Sequence, residues 1–383
     1  MSTGQNESTG SSASSQLEVN DLPIGLLDIA LSAPPTELVG DTTKFLLRPE
    51  QGPPAAVLKV ARGLGAAELR TQRRVLAELA IQPGLDEEWR ALLPRILAFD
   101  ERNNATVSVE SYRPGMDLAE VLARHPGSVG ELTAAALSAI APLHRRTATF
   151  VVVDNACLLR RWVLEPVAGL RDMCRRLDPH LLREVDRLGA TLWQALVGRR
   201  LPVSWTHGDY TPGNVRVAGV QGPVTGIVEW GGARPAQPAL IDEYLMMLAA
   251  SCQVERADLG TLVAERLRAG GLSDSERNAL RAARNRPDAD IGDHERTDEG
   301  IDERLAILLT WLHRVADLWR KCATHPNHHI WWAANVAPVL DAVAAWQGFD
   351  ASTARLGASS GALMTTSPPV GDAARSQGNQ ADG

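Results

Sequence analysis

Aromatic residues are scarce in this 383-residue chain, at 4%, with only 3 Tyr and 4 Phe. Trp, with 10 residues, outnumbers the two together. Cysteine is scarcer still. Cys157, Cys174, Cys252 and Cys322 are scattered, with no C-x-x-C pair, so neither a zinc site nor a disulfide framework is suggested. Free thiols in a reducing compartment are expected. A basic excess is also missing. The net charge of −7 argues against a nucleic-acid or anionic-membrane binder, which usually carries a basic face. No stretch approaches the ~18 apolar residues of a membrane span. The opening MSTGQNESTGSSASSQ has neither the basic nor the apolar region of a secretory signal. A cytoplasmic location follows as the expectation. No G-x-x-x-x-G-K, no G-x-G-x-x-G ahead of Lys59, no G-x-S-x-G and no H-E-x-x-H occurs. Esterase and zinc-protease readings therefore lose their usual sequence support.

What is present divides along the chain. Residues 1–20 and 355–383 are rich in Ser, Thr, Gly and other small or polar residues and read as disordered tails. Between 36 and 112, the short runs TKFLLRP, AAVLKVAR and ATVSVESY are strand-like. They are interrupted by AAELRTQRRVLAELA, whose Leu69, Val75, Leu76 and Leu79 recur near helical spacing. From 117 to 200 the pattern is helical. Then VRVAGV and VTGIVEW, joined by Gly-Pro punctuation, read as a β-hairpin. Helices resume from about 240 to 347 around a polar loop, RNRPDADIGDHERTDEG.

The chemistry concentrates in THGDYTPGNV. Asp209 and Asn214 stand five apart in a Gly/Pro-broken loop just ahead of a strand, and Glu229 follows at the far end of the hairpin. A hairpin returns its far end beside its start, so two carboxylates and one amide are expected to converge. Magnesium takes hard oxygen ligands, few of them from protein, with phosphates and water supplying the rest. A metal-holding Asn and carboxylate beside a second, proton-accepting carboxylate is the arrangement of kinase-type phosphoryl transfer. The same residues are also common turn formers; the strand context of the trio is what favours function.

HGDYTPGN followed by GIVEW resembles the signature of the aminoglycoside phosphotransferase/choline kinase-like family, small-molecule relatives of the protein kinases. AAVLKVAR resembles the strand carrying the phosphate-binding lysine, here Lys59. VSVESYRPGMDLAEVL resembles the inter-lobe hinge, with Glu110 and Gly115. LSAIAPLHRR resembles the helix ending in Leu-His, with His144, and PALIDEYLMM the segment bearing Asp242. The resemblance implies an α+β, protein kinase-like fold: a small β-rich N-lobe at 36–112 and a larger, mostly helical C-lobe at 113–350. It implies ATP and Mg²⁺ as cofactors and a small-molecule hydroxyl as acceptor. It assigns Lys59 to the ATP phosphates, Asp209 to the acceptor proton, Asn214 and Glu229 to the metal, and His207 and Asp242 to structural support of the site. No glycine-rich phosphate loop precedes Lys59; only Gly40 of ELVGDTTKF is available.

Two departures stand out. Glu229 replaces the family's metal aspartate, which lengthens the ligand by one methylene. Gln72 falls where the family helix carries the lysine's glutamate. Either Glu68, one turn earlier on the same face, or a neutral Gln72 contact is expected to serve Lys59. These departures keep open a degenerate kinase-like protein that binds nucleotide or a partner without turnover. A protein kinase is disfavoured because the loop begins HGD without an arginine. His325, His328 and His329 read as a helix-start loop rather than a metal site, and Trp331 and Trp332 as core. The acidic residues at 288–299, with the net negative charge, lead to the expectation of a neutral or cationic acceptor.

Overall fold

A computed structural model describes residues 42–48, 53–102, 104–153, 156–284, 301–322 and 328–346. The sequence-derived tails at 1–20 and 355–383, Gly40, His325 and the acidic residues at 288–299 lie outside the described residues. In chain order, the N-terminal part holds β1 (Thr42–Leu47), β2 (Ala56–Ala61), α1 (Gly63–Ala80), α2 (Glu87–Arg90), β3 (Ile96–Arg102) and β4 (Ala105–Ser111). Next come β5 (Met116–Asp117), α3 (Leu118–Arg124), α4 (Val129–Arg146), β6 (Thr149–Val152) and α5 (Ala156–Leu159). A π-helical turn (Arg160–Leu164), α6 (Glu165–Leu177), α7 (Leu182–Leu196) and β7 (Arg200–Thr206) follow. Then β8 (Val215–Val217), β9 (Val224–Ile227), β10 (Arg234–Gln237), α8 (Leu240–Glu255), α9 (Leu259–Ala269) and α10 (Asp274–Arg284). The last helices are α11 (Glu303–Cys322), α12 (His328–Asn335) and α13 (Ala337–Ala345).

The first four strands form one antiparallel sheet in the order β1-β2-β4-β3. Side chains alternate between faces along a strand. In β2 and β4, Ala56, Leu58, Val107 and Val109 bury one face as a small apolar cluster. The register sets Lys44 opposite Lys59, Lys59 opposite Ser108 and Val57 opposite Glu110. Cross-strand partners share a face, so Lys44, Lys59, Ser108 and Glu110 all lie on the other one. Helix α1 buries Leu69, Gln72, Val75, Leu76 and Leu79, at the three- and four-residue spacing that makes one stripe. Val75, Leu76 and Leu79 join the main core, which runs on through the helices of the C-terminal part.

The 117–200 segment is not purely helical. Its short run Thr149–Val152, three of four residues β-branched, pairs with β7, which also carries β10. Four residues are too short to show a strand period in the sequence. The anticipated hairpin is β8–β9, with Val215 opposite Ile227. Residues 328 and 329 begin α12, and Trp332 is core. Among the described residues, no helix is long and apolar enough to cross a membrane, and Cys157, Cys174 and Cys252 are free.

Candidate active site

The catalytic-loop candidate follows β7 and is held from beneath by one buried carboxylate. Asp242, in the first turn of α8, is fully buried. Its Oδ2 accepts from the His207 backbone N–H at 2.7 Å, and its Oδ1 from the Gly208 N–H at 2.9 Å. His144 Nε2 lies 3.0 Å from the same Oδ2. A buried carboxylate needs such donors, and here they fix the backbone just before Asp209. His207 is braced the other way: its Nε2 lies 2.8 Å from the Val228 carbonyl, and its Nδ1 accepts from the Asp209 N–H at 3.3 Å. One ring thus ties the loop to the residue before Glu229. That ring packs against Trp230 at a tilt of 57°, with ring centroids 4.6 Å apart.

Glycine is required at two crossings. Gly208 has φ +76°, and a Cβ there would overlap the Gly232 carbonyl. Gly115 has φ +113° between the two parts of the chain, where a Cβ would strike Thr225 and the Val217 carbonyl. Both need the left-handed freedom and the missing side chain.

Asn214 Nδ2 donates to the Asp209 carbonyl at 2.7 Å, and the Val228 N–H donates to the Asn214 carbonyl at 2.9 Å. The Asp209–Asn214 loop and the strand end bearing Glu229 therefore meet, as the hairpin argument anticipated. Glu229 itself has φ 67°. That left-handed conformation is unusual for a non-glycine residue and suits Asp or Asn better than Glu.

Lys59 and Glu110 are each 2% exposed. Lys59 Nζ lies 3.0 Å from Glu110 Oε2 and 3.0 Å from Glu229 Oε1. Lys44 Nζ reaches the same Glu229 oxygen at 2.7 Å. Gln72 Nε2 donates to Glu110 Oε1 at 2.6 Å, and Ser108 Oγ to the same atom at 3.2 Å. This corrects both expectations for Lys59. Its buried anionic partner is Glu110, one strand over, and the amide of Gln72 binds that carboxylate. Glu68 instead lies against Gly231, and its charge acts on Arg320 of α11. The glutamate expected on the helix has moved to β4, and a helix amide supports it.

Burial works to lower the Lys59 pKa, but Glu110 and Glu229 outweigh it and leave Lys59 above its usual value. Burial works to raise Glu229, yet Lys59 and Lys44 pull it down to about 2. For Glu110 burial wins over Lys59, and its pKa is raised. The attraction between paired ions is the firmer direction for this tightly packed pair: Lys59 stays protonated.

Asp209 has an unanticipated partner. Arg314 of α11 donates from Nη1 to its Oδ1 at 2.6 Å. Lys44 and Arg314 are the site residues that sequence reasoning missed. Arg314 left one signal, a charged residue in the otherwise apolar ILLTWLHRVADLW.

The residues present fit a magnesium ion. Among the described residues no group of three His, Cys, Asp or Glu side chains forms a dedicated metal cage, but Mg²⁺ on a nucleotide needs only one or two protein oxygens. Asn214 uses its NH₂ on Asp209, leaving its Oδ1 for a cation. Both lysines address Oε1 of Glu229, so its Oε2 is a second hard oxygen.

The model of the phosphotransferase enzyme family matches residues 39–240, more than half of the 383 residues. The chain belongs to that family, and its mixed α+β fold, β-rich at the start and helical after, is protein kinase-like. No curated protein matches it. Among solved structures, the apo form of a thermostable mutant of aminoglycoside phosphotransferase APH(4)-Ia is 14% identical, with 84% of this chain and 96% of that chain covered and a TM-score of 0.46. Aminoglycoside phosphotransferase APH(3'')-Id from Streptomyces rimosus, in complex with ADP and streptomycin, is 16% identical over 68% of this chain and 87% of that one, with a TM-score of 0.43. Aminoglycoside-3'-phosphotransferase of type VIII is 18% identical over 67% and 97%, with a TM-score of 0.39.

Proposed function

We propose that this chain transfers the γ-phosphoryl group of ATP to a hydroxyl of a small molecule. The observation that carries the reading is the convergence of Asp209, Asn214 and Glu229 around one loop pinned by Asp242, with Lys59 on Glu229. In this reading Asp209 takes the proton of the acceptor hydroxyl as its oxygen bonds to the γ-phosphorus. The bond to the β-phosphate oxygen breaks and ADP leaves. Asp209 Oδ1 holds Arg314, so Oδ2 is the atom for the proton. Lys59 and Lys44 share their charge between Glu229 and the phosphates. Asn214 Oδ1 and Glu229 would hold Mg²⁺, which when bound neutralises charge on the phosphate oxygens. The test is ATP consumption by the full chain against a panel of hydroxylated acceptors, with Asp209→Asn as control. No acceptor-dependent consumption with any of them would remove the reading.

One observation favours a second reading, nucleotide binding without turnover. Glu229 is longer than the aspartate expected there, sits in a left-handed conformation, and already carries two lysines. ATP binding that ignores Mg²⁺ in the wild type would select it.

A further inference from the structure

The acidic residues that suggested a cationic acceptor lie outside the described residues, and the charged group that meets Asp209 has the opposite sign. Arg314 touches Asp209 itself at 2.6 Å. One residue before it on α11, His313 Nε2 lies 2.9 Å from the Trp162 carbonyl, in the π-helical turn that carries Arg161. Arg161 donates through Nη2 to the Ala236 carbonyl. Ala236 stands two residues along β10 from Arg234, and Arg234 pairs with Thr206, three residues before Asp209. Arg320, two helical turns on from His313, completes the arc. Three elements that do not neighbour one another in sequence thus place guanidinium groups around His313, the neighbour of Arg314 on α11.

These cations are not all neutralised. Arg314 and Arg320 have carboxylates, Asp209 and Asp317. Glu165 pairs with Arg160. Among the described residues, neither Arg161 nor Arg234 has a carboxylate at ion-pair distance. Arg161 Nε is buried without a hydrogen-bond partner, and Arg234 is exposed. Their mutual repulsion is felt nearby. Burial first, and then Arg234, Arg161 and Arg320, push His313 down to about 4, so it is neutral near pH 7 and adds no charge. Arg234 likewise lowers Arg161 and Arg320, after burial. Glu165 opposes this repulsion at Arg161 and Arg320, but it is already paired with Arg160; like charges gathered together cost stability, and an anionic ligand offsets that cost.

Resting on the phosphotransferase reading above, we infer that the acceptor carries an oxyanion, a carboxylate or phosphate, besides its hydroxyl, and that Arg161 and Arg234 bind it. Planar guanidinium groups suit such two-oxygen anions. Arg314 is a positioning residue: it orients Asp209 and adds to the positive field.

Two measurements keep this inference separate from the phosphotransferase reading. First, ATP consumption is compared across hydroxy acids, sugar phosphates, neutral sugars, amino alcohols and aminoglycosides. Turnover with hydroxy acids or sugar phosphates is expected, and which of the two distinguishes carboxylate from phosphate. Arg234→Gln should raise KM for that acceptor by about 10–100-fold, the worth of a charged hydrogen bond, without moving KM for ATP. Turnover confined to neutral or cationic acceptors would overturn the inference and leave the kinase reading standing. Second, inorganic sulfate is titrated by calorimetry against the protein with ADP and Mg²⁺ present. Wild type should bind sulfate at least tenfold more tightly than an Arg161→Gln/Arg234→Gln variant. This decides the anion site even if no acceptor is turned over; equal affinities, or no binding by either, would overturn it.

Discussion

On the Lys59 side of the cleft, two carboxylates lie 3.0 Å from one ammonium, and Lys59 and Glu110 are each 3% exposed as side chains. On the Asp209 side, Arg314 meets its carboxylate at 2.6 Å with the two side chains 21% and 28% exposed. The first pair is fixed by strand register and a helix amide, the second by one long side chain reaching from α11. The first therefore belongs to the folded scaffold: removing one member leaves a buried charge. The second is part-exposed and open to competition from a ligand. A third cluster gives the limit of the scaffold kind. Glu276 closes a capping box with Ser273, accepts from Ser251 and pairs with Arg266, and its pKa is lowered despite burial. Every oxygen there has a partner, and nothing remains to offer a ligand.

The comparison breaks first at Asp209. Asp209→Asn should cut turnover by about 10²–10⁴-fold, the usual worth of a general base, while ATP affinity, measured by calorimetry, stays put. A parallel loss of ATP affinity would mean that the two sides are not separate.

Next in size is Glu110. Glu110→Ala strands Lys59 with Glu229 alone and should cost about 3–5 kcal/mol of folding stability, as for other broken buried pairs, read by urea unfolding. Arg314→Ala on the exposed side should cost about 1 kcal/mol or less. Similar losses for both would erase the distinction between scaffold and competitor.

Gln72→Ala removes a donor from a buried carboxylate and should cost about 1.5–3 kcal/mol, with weaker ATP binding. Glu68→Ala should leave ATP binding unmoved. The reverse pattern would return Lys59's partner to the helix position that the sequence suggested.

The smallest effect is in the pH dependence. The pKa of Glu229 falls from 4.5 to about 2 on folding, a depressed carboxylate. Its contribution is fully present above 4.5 and is lost as the pH falls towards 2. In Glu229→Gln, that part of the acid loss of stability should disappear from a thermal-unfolding series. An unchanged acid limb would show that the two lysines do not hold this carboxylate.

Much of the site was legible because its residues are close in sequence. His207, Asp209 and Asn214 share one loop, and a short hairpin brings Glu229 back to it. Asp242 was found as part of a motif, and its role becomes plain once both loop N–H groups are seen to converge on it. Glu110 was noticed for a hinge position, but its pairing with Lys59 depends on the β2–β4 register, which alternation within one strand cannot supply. Lys44 and Arg314 act from 185 and 105 residues away. Periodicity reports which face a residue occupies and says nothing about what that face meets. Net charge sums the whole chain, whereas Arg161, Arg234, Arg314 and Arg320 are gathered only by folding.

We propose phosphoryl transfer from ATP to a hydroxyl with Asp209 as base. Phosphorus NMR of the full chain with ATP, Mg²⁺ and the acceptor panel tests it most directly. A new phosphate-monoester resonance should grow with ADP in the wild type and be strongly slowed in Asp209→Asn. A monoester formed equally fast by Asp209→Asn, or ATP bound with no monoester from any acceptor, would contradict it.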